Sequence, residues 1–207
     1  MDLATMRARV RSAVKDLDSS AYYWTDAEVD AAITRALGEY TLVAPAVASV
    51  VRSGDGSTRS FDCASEVDYL YALAVEHPID EDPPRWLKLR EIVRGTVVVY
   101  GDPPAAGAGN VRVWYAKAHG TAGTWTVPAE DEPTIELGAT AHLALAGARY
   151  ASGRLNASQL TPGQLRELGE ARRREFEAQL DALRARPVGP QWRPSWDDSQ
   201  DRQDRTR

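Results

Sequence analysis

The sequence predicts an α+β fold in which a helical scaffold, built from both chain ends, carries an inserted small antiparallel β-sandwich or barrel. Three observations carry that prediction. Apolar residues recur at three- and four-residue steps near both ends of the chain, they fall in short runs through the middle, and Gly- and Pro-rich breaks separate those runs. The changes of period divide the 207 residues into an N-terminal helical hairpin (1–45), a β-rich inserted domain (46–132), a C-terminal helical pair (133–186) and an extended tail (187–207). A chain of this length can bury one ordinary core or two small ones.

In the first segment Leu3, Met6, Val10, Ala13, Val14 and Leu17 form one apolar stripe, with Arg7, Arg9, Arg11 and Lys15 between them. That pattern is an amphipathic helix, and Asp18-Ser19-Ser20 breaks it. Thr25 can cap the next helix, since Glu28 stands at the third helical position and can reach back to the cap. Trp24 and its neighbours Tyr22 and Tyr23 can staple this helix to the first, which makes Trp24, Thr25 and Glu28 the residues expected to fix the hairpin. Val29, Ile33, Ala36, Leu37 and Tyr40 supply its apolar face, and Pro45 follows its end.

From Ala46 the period shortens. Val47, Val50 and Val51 lead to Asp55-Gly56, a hairpin-turn signal. Further strand candidates are 59–62, 71–77, 85–89, 96–100 and 110–118, with 65–70 as a possible single helical turn. Short strands at this spacing suggest a sandwich or barrel.

After Pro133 an alanine-rich stretch, 135–151, returns to the helical period, and Gly153 is placed to stop it. A last helix starts at Thr161-Pro162, with Pro in the first helical position, and aligns Leu165, Leu168, Phe176, Leu180 and Leu183. From Pro187 the chain has Pro, Gln, Asp and Arg in place of an apolar period and reads as a tail.

Composition narrows the function. A formal charge of -5 disfavours a protein whose main work is gripping nucleic-acid phosphates, although an acidic protein can still surround DNA. Arginine and lysine total 25, and only Lys15, Lys88 and Lys117 are lysines, a bias that mainly reflects genome composition. No apolar run approaches a membrane span, and the N-terminus has no secretory pattern, so synthesis in a cytoplasm is expected. Cys63 is the single cysteine and reads as a small core residue.

Chemistry-bearing patterns are scarce. His77, His119 and His142 form no ligand pair, there is no Gly-x-Ser-x-Gly elbow, and no Lys follows Gly54-Asp55-Gly56 or Gly107-Ala108-Gly109 as a phosphate loop requires. The chain is therefore expected to be no enzyme, with no catalytic residue, no cofactor and no metal site. Asp80-Glu81-Asp82 and Glu130-Asp131-Glu132 lie beside prolines in predicted loops and read as solvated turns, a cation site or a catalytic carboxylate pair being the alternative. Arg172, Arg173 and Arg174 form the one basic run within a predicted helix, and Glu170, Glu175 and Glu177 around them suggest an ion-paired face or a contact with DNA or a partner. Trp192 and Trp196 bring large apolar surfaces to a polar tail and are interface candidates beside that arginine run, self-packing of the two rings being the alternative. Trp114 and Tyr115 alternate faces of one strand, so one of them is expected in the core. An exposed aromatic there could instead stack on sugar rings, which keeps a carbohydrate-binding or tail-associated recognition module as the second reading.

The segment Tyr22-Tyr23-Trp24-Thr25-Asp26-Ala27-Glu28-Val29-Asp30, followed by Ile33, Ala36, Leu37, Glu39 and Pro45, resembles the N-terminal helical hairpin of tailed-phage head-tail connector adaptors. Residues 111–119, then 125–130, resemble that family's last strands and the turn into its third helix, and the closing helices through Phe176 and Leu180 follow the same order. Val29 stands where the family motif usually has leucine, and the Pro/Trp tail has no counterpart in it. The resemblance implies a virion structural protein made in the host cytoplasm. It implies a homo-oligomeric ring, dodecameric to match a portal protein above it, with a stopper or tail-terminator protein below. DNA would be passing cargo only, and no membrane is involved.

Overall fold

A computed structural model describes residues 2–20, 22–121, 125–150, 161–186 and 188. The fold is α+β, and among the described residues it has four helices and two small antiparallel sheets inserted between the second and third helix. Two compact units are present: Met1–Ala46 with Lys117–Arg186, which is helical, and Val47–Ala116, which is β.

In the helical unit α1 (Leu3–Ala13) begins at Asp2, whose carboxylate accepts the Thr5 amide at 2.8 Å. It ends four residues earlier than the apolar stripe to Leu17 suggests. The Asp16 amide donates to Arg11 O and the Lys15 amide to Ser12 O, which is a Schellman closure with Lys15 in the left-handed position at φ 58°. Lysine in place of the usual glycine hides that stop in the sequence, and it leaves Leu17 68% exposed. Helix α2 (Asp26–Thr41) opens with the full capping box, since Thr25 accepts from the Glu28 amide and Glu28 accepts from the Thr25 amide at 2.7 Å.

Helix α3 (Glu132–Tyr150) is the centre of this unit. Its small residues allow close approach. A Cβ added at Gly138 would lie 2.8 Å from the Phe176 ring and 2.9 Å from Ala36 Cβ, and one at Gly147 would lie 2.8 Å from the Trp24 ring. Helix α4 (Pro162–Arg184) starts with a second capping box, Thr161 with Gln164, and has Pro162 at its first turn. Met6, Val10, Ile33, Leu37, Ile135, Leu143, Leu165, Phe176 and Leu180 fill the shared core. The helix-stopping role expected of Gly153 lies outside the described residues.

The β unit has one sheet in the order β1 (Ala46–Gly54), β7 (Gly107–Lys117), β3 (Tyr69–Glu76), β4 (Trp86–Leu87) and a second in the order β2 (Ser60–Asp62), β6 (Thr96–Val99), β5 (Leu89–Val93). The Asp55-Gly56 step does turn the chain, with the Ser57 amide bonded to Asp55 Oδ1 at 2.8 Å and Gly56 at φ 76°. It is not a hairpin between paired strands, however, because β1 and β2 lie in different sheets. The physical reason is the core: Phe61 of β2 packs with Val97, Val99, Val111, Val113 and Tyr115 from both sheets, and pairing β2 with β6 as Phe61 to Val97 places it there. Along β7 the inward residues are Val111, Val113 and Tyr115, while Arg112 and Trp114 face the other way. Residues 65–70 hold turns and the first residues of β3, not a helical turn.

Candidate functional site

The N-terminal hairpin carries a dense set of polar contacts between α1 and α2. Arg7 and Arg11 lie one turn apart on α1, and Asp26 and Asp30 lie one turn apart on α2, so the four heads meet as two facing rows. Arg7 grips Asp30 with both fork nitrogens, at 2.9 and 2.7 Å, and reaches Asp26 at 3.1 Å. Arg11 is buried, binds Asp16 and Asp26, and donates to Trp24 O at 2.9 Å. Asp16 in turn accepts the Tyr23 amide at 2.8 Å, and the Tyr22 ring lies 3.7 Å from the Arg11 guanidinium. Arg11, chiefly, then Arg7, hold the Asp26 carboxyl below its ordinary pKa. Trp24 is buried, with its ring edge-on to Tyr23. Sequence reasoning reached Trp24, Thr25 and Glu28 but not this ionic lock. Its signal was available as two pairs of opposite charges at matched four-residue spacing.

The arginine run divides by role. Arg173 bonds Glu39 of α2 at 2.9 Å and Glu177 at 2.6 Å, so it ties α4 to α2. Arg172 pairs with Glu175 at 2.7 Å on the helix surface, and Arg174 is exposed. Glu39 also lies 3.0 Å from His142 Nε2, in ion-pair range but without hydrogen-bond alignment. Trp192 and Trp196 lie outside the described residues.

The remaining histidines and acids hold structure. His119 is buried, and its Nε2 lies 2.9 Å from Ala44 O while Nδ1 lies 2.7 Å from Thr126 Oγ1. A carbonyl only accepts, so Nε2 carries the proton and Nδ1 accepts from the threonine, which is the neutral ring. Burial lowers the pKa of His119 and of His142. His77 Nδ1 lies 2.9 Å from Asn110 O in the β unit. Of the two acidic runs, Asp80 is exposed and bonds Arg112 at 3.0 Å. Asp131 and Glu132, expected in a solvated turn, are buried. The reason is that Tyr40 and Arg186 both bind Asp131, at 2.8 and 2.9 Å, and Arg9 stands 3.6 Å from Glu132.

Tyr115 is the core member of its aromatic pair, and the indole nitrogen of Trp114 faces Glu76 at 3.4 Å with Arg112 over the ring, so no bare aromatic platform is formed there. Burial raises the Cys63 thiol to about 11, which leaves it an inert core residue. Among the described residues no cluster of three or more His, Cys, Asp or Glu is placed to hold a metal ion. No helix among them is long and apolar enough to cross a membrane.

No protein-family model matches the chain, and no curated protein matches it. Among solved structures it is similar to a chain in the neck of an empty GTA particle computed with C6 symmetry, at 14% identity and a TM-score of 0.30, over 94% of this chain and 93% of that one. It is also similar to a chain in the neck of a native GTA particle computed with C12 symmetry, at 14% identity and a TM-score of 0.29, over 94% and 97%.

Proposed function

We propose that this chain is a non-enzymatic structural head-tail adaptor of a tailed phage, made in the host cytoplasm and carried in the virion. It forms a homo-oligomeric ring, dodecameric to match the portal protein above it, and meets a stopper or tail-terminator protein below. DNA passes through the ring as cargo. The observation that carries this reading is the N-terminal hairpin. The segment from Tyr22 to Asp30 that resembles the adaptor family forms a boxed and ion-locked helix start, so the resembling residues are those that fix one local structure.

Charge supports the passage role, since a net charge of -5 disfavours a tight hold on phosphates. Identical subunits close into a ring when one surface binds a different surface on the next copy. Arg172 and Arg174 on α4, with Trp192 and Trp196 of the tail, are the residues we assign to such contacts with a neighbouring copy or the portal, and Arg173 supports that face. Electron microscopy of the purified full chain, alone and with its portal, tests the proposal. A closed ring is the expected result. A protein that stays monomeric beside the portal and is retained on a glycan column would replace this reading with the recognition module.

A further inference from the structure

Leu42, 81% exposed, and Leu17, 68% exposed, are the most solvent-facing large hydrophobics among the described residues of the helical unit. Leu17 stands on the turn just past α1, two residues beyond the exposed Lys15. Asp16 in that turn is buried against Arg11, and Asp18 accepts the Ser20 amide and hydroxyl at 3.0 and 2.6 Å. Both acids are thus engaged within the hairpin, and Lys15 is the cation the turn offers outward.

Leu42 caps α2 at the side of a groove of about 400 Å³ between the end of α2 and the last turns of α4. Val43 and Leu180 add to its apolar lining. The charged members are Glu39, Glu177 and Asp181 against Arg173 and Arg184, which leaves one carboxylate in excess. Helix α2 ends here with no basic residue in its last turn, so the partial negative charge of its final carbonyls adds to that excess.

We infer that the turn from Lys15 to Leu17 of one copy docks in this groove of the next copy. Leu17 lies against Leu42, Val43 and Leu180, and the Lys15 ammonium meets Glu177 and Asp181. Charge and apolar surface match on the two sides, so burial supplies attraction while the lysine sets orientation. Placement then decides who binds whom. Arg11 meets Asp26 and Arg7 meets Asp30, which puts the end of α1 at the start of α2. The groove lies at the other end of α2, roughly 22 Å away by helix rise. A chain therefore cannot seat its own turn in its own groove. Complementary surfaces at opposite ends of one helix join copies head to tail, the kind of contact that closes into a ring. This inference deepens the ring reading and rests on it.

The test treats the unaltered full chain, at roughly 100 μM so that a micromolar contact is filled, with a carbodiimide that joins an amine to a carboxylate it touches. Mass spectrometry of the peptides should find Lys15 linked to Glu177 or Asp181, a bond that the length of α2 allows only between copies. Leu17→Glu or Leu42→Glu should each lower the yield at least about ten-fold, and both residues are exposed, so melting temperatures should hold. An isotope-labelled Leu17→Glu chain mixed with an unlabelled Leu42→Glu chain should regain the link in one direction only. That direction runs from Lys15 of the unlabelled chain to the groove of the labelled one. No link from the parent chain, a yield indifferent to either substitution, or links in both directions in the mixture would each overturn the inference. A ring seen by microscopy without the link would leave the adaptor reading standing and remove only this contact.

Discussion

Tyr40 donates its hydroxyl to Asp131 Oδ2 at 2.8 Å, joining the end of α2 to the turn that opens α3, and Arg186 closes on the same carboxylate at 2.9 Å from beyond α4. Three elements distant in sequence therefore meet at one buried acid. Burial, then the bond to Asp131, raises the Tyr40 pKa far above that of a free phenol. Tyr40→Phe should lower stability by about 1–3 kcal/mol, because the Asp131 carboxylate loses a buried donor. Arg186→Ala should cost less, since the Arg186 side chain is 59% exposed. Urea denaturation of the two variants checks the order.

Arg11 should matter more to the hairpin than the cap does. Thr25→Ala removes one capping acceptor and should cost about 1 kcal/mol. Arg11→Ala strands the buried Asp16 carboxylate and should cost about 3–5 kcal/mol. Trp24→Ala should fall in the same range, about 3–5 kcal/mol, because the ring is buried. Equal melting temperatures for all three variants would contradict the lock described here.

Close packing along α3 gives a sharper expectation. Gly147→Ala would put a methyl 2.8 Å from the Trp24 ring, and Gly138→Ala would put one between Phe176 and Ala36. Helix propensity favours alanine by about 1 kcal/mol, but overpacking typically costs about 1–3 kcal/mol. Both variants should therefore melt at or below the parent. A clear rise in melting temperature would mean that the neighbouring rings give way freely.

These contacts also explain what was legible in advance. Local rules exposed the capping box at Thr25, the start of α4 at Thr161-Pro162, the apolar faces of α2 and α4, and the alternation that puts one of Trp114 and Tyr115 in the core, because each depends only on spacing within one element. The α+β class follows from them. The stop of α1 at Lys15 was hidden because lysine took a position where glycine is the usual sign. Pairing β1 and β2 through Asp55-Gly56 failed because a turn residue reports the turn and not the partner strand. Asp131 looked like a surface acid until residues 91 and 55 positions away were brought to it.

Acid should weaken the helical unit before its carboxylates titrate. Burial lowers the pKa of His119, next to Ala44 O, Lys117 and Asp131, and that of His142, among Glu39, Arg35 and Arg173. The unfolded chain then binds more protons than the folded one from about pH 6.5 downward. Stability is full above that pH and is lost as the pH falls toward the folded-state values of the two rings. His119→Gln should flatten part of this slope while lowering stability at pH 8. Melting curves from pH 8 to pH 5 measure both effects, and a parallel profile for the variant would assign the slope elsewhere.

The arginine run allows the proposed interface to be separated from the fold. Arg173 is engaged within the subunit, bonded to Glu39 at 2.9 Å and to Glu177 at 2.6 Å, so Arg173→Glu should lower the melting temperature by turning two attractions into repulsions. Arg174 is exposed, and Arg172 holds only a surface pair with Glu175, whose type is worth a few tenths of a kcal/mol. Arg172→Glu with Arg174→Glu should therefore leave the isolated subunit's melting temperature within about 2 °C of the parent, because surface changes of this kind stay within about 0.5 kcal/mol. The same double variant should weaken association with neighbouring copies or the portal at least about ten-fold if those arginines face an acidic partner surface, since reversing a rim charge introduces like-charge contact. Mass photometry of the ring and co-sedimentation with the portal read that loss directly. Assembly unchanged by the double variant would remove Arg172 and Arg174 from the interface. Assembly lost only together with the melting temperature would show that α4 contributes to the ring through its own packing and not through this charged face.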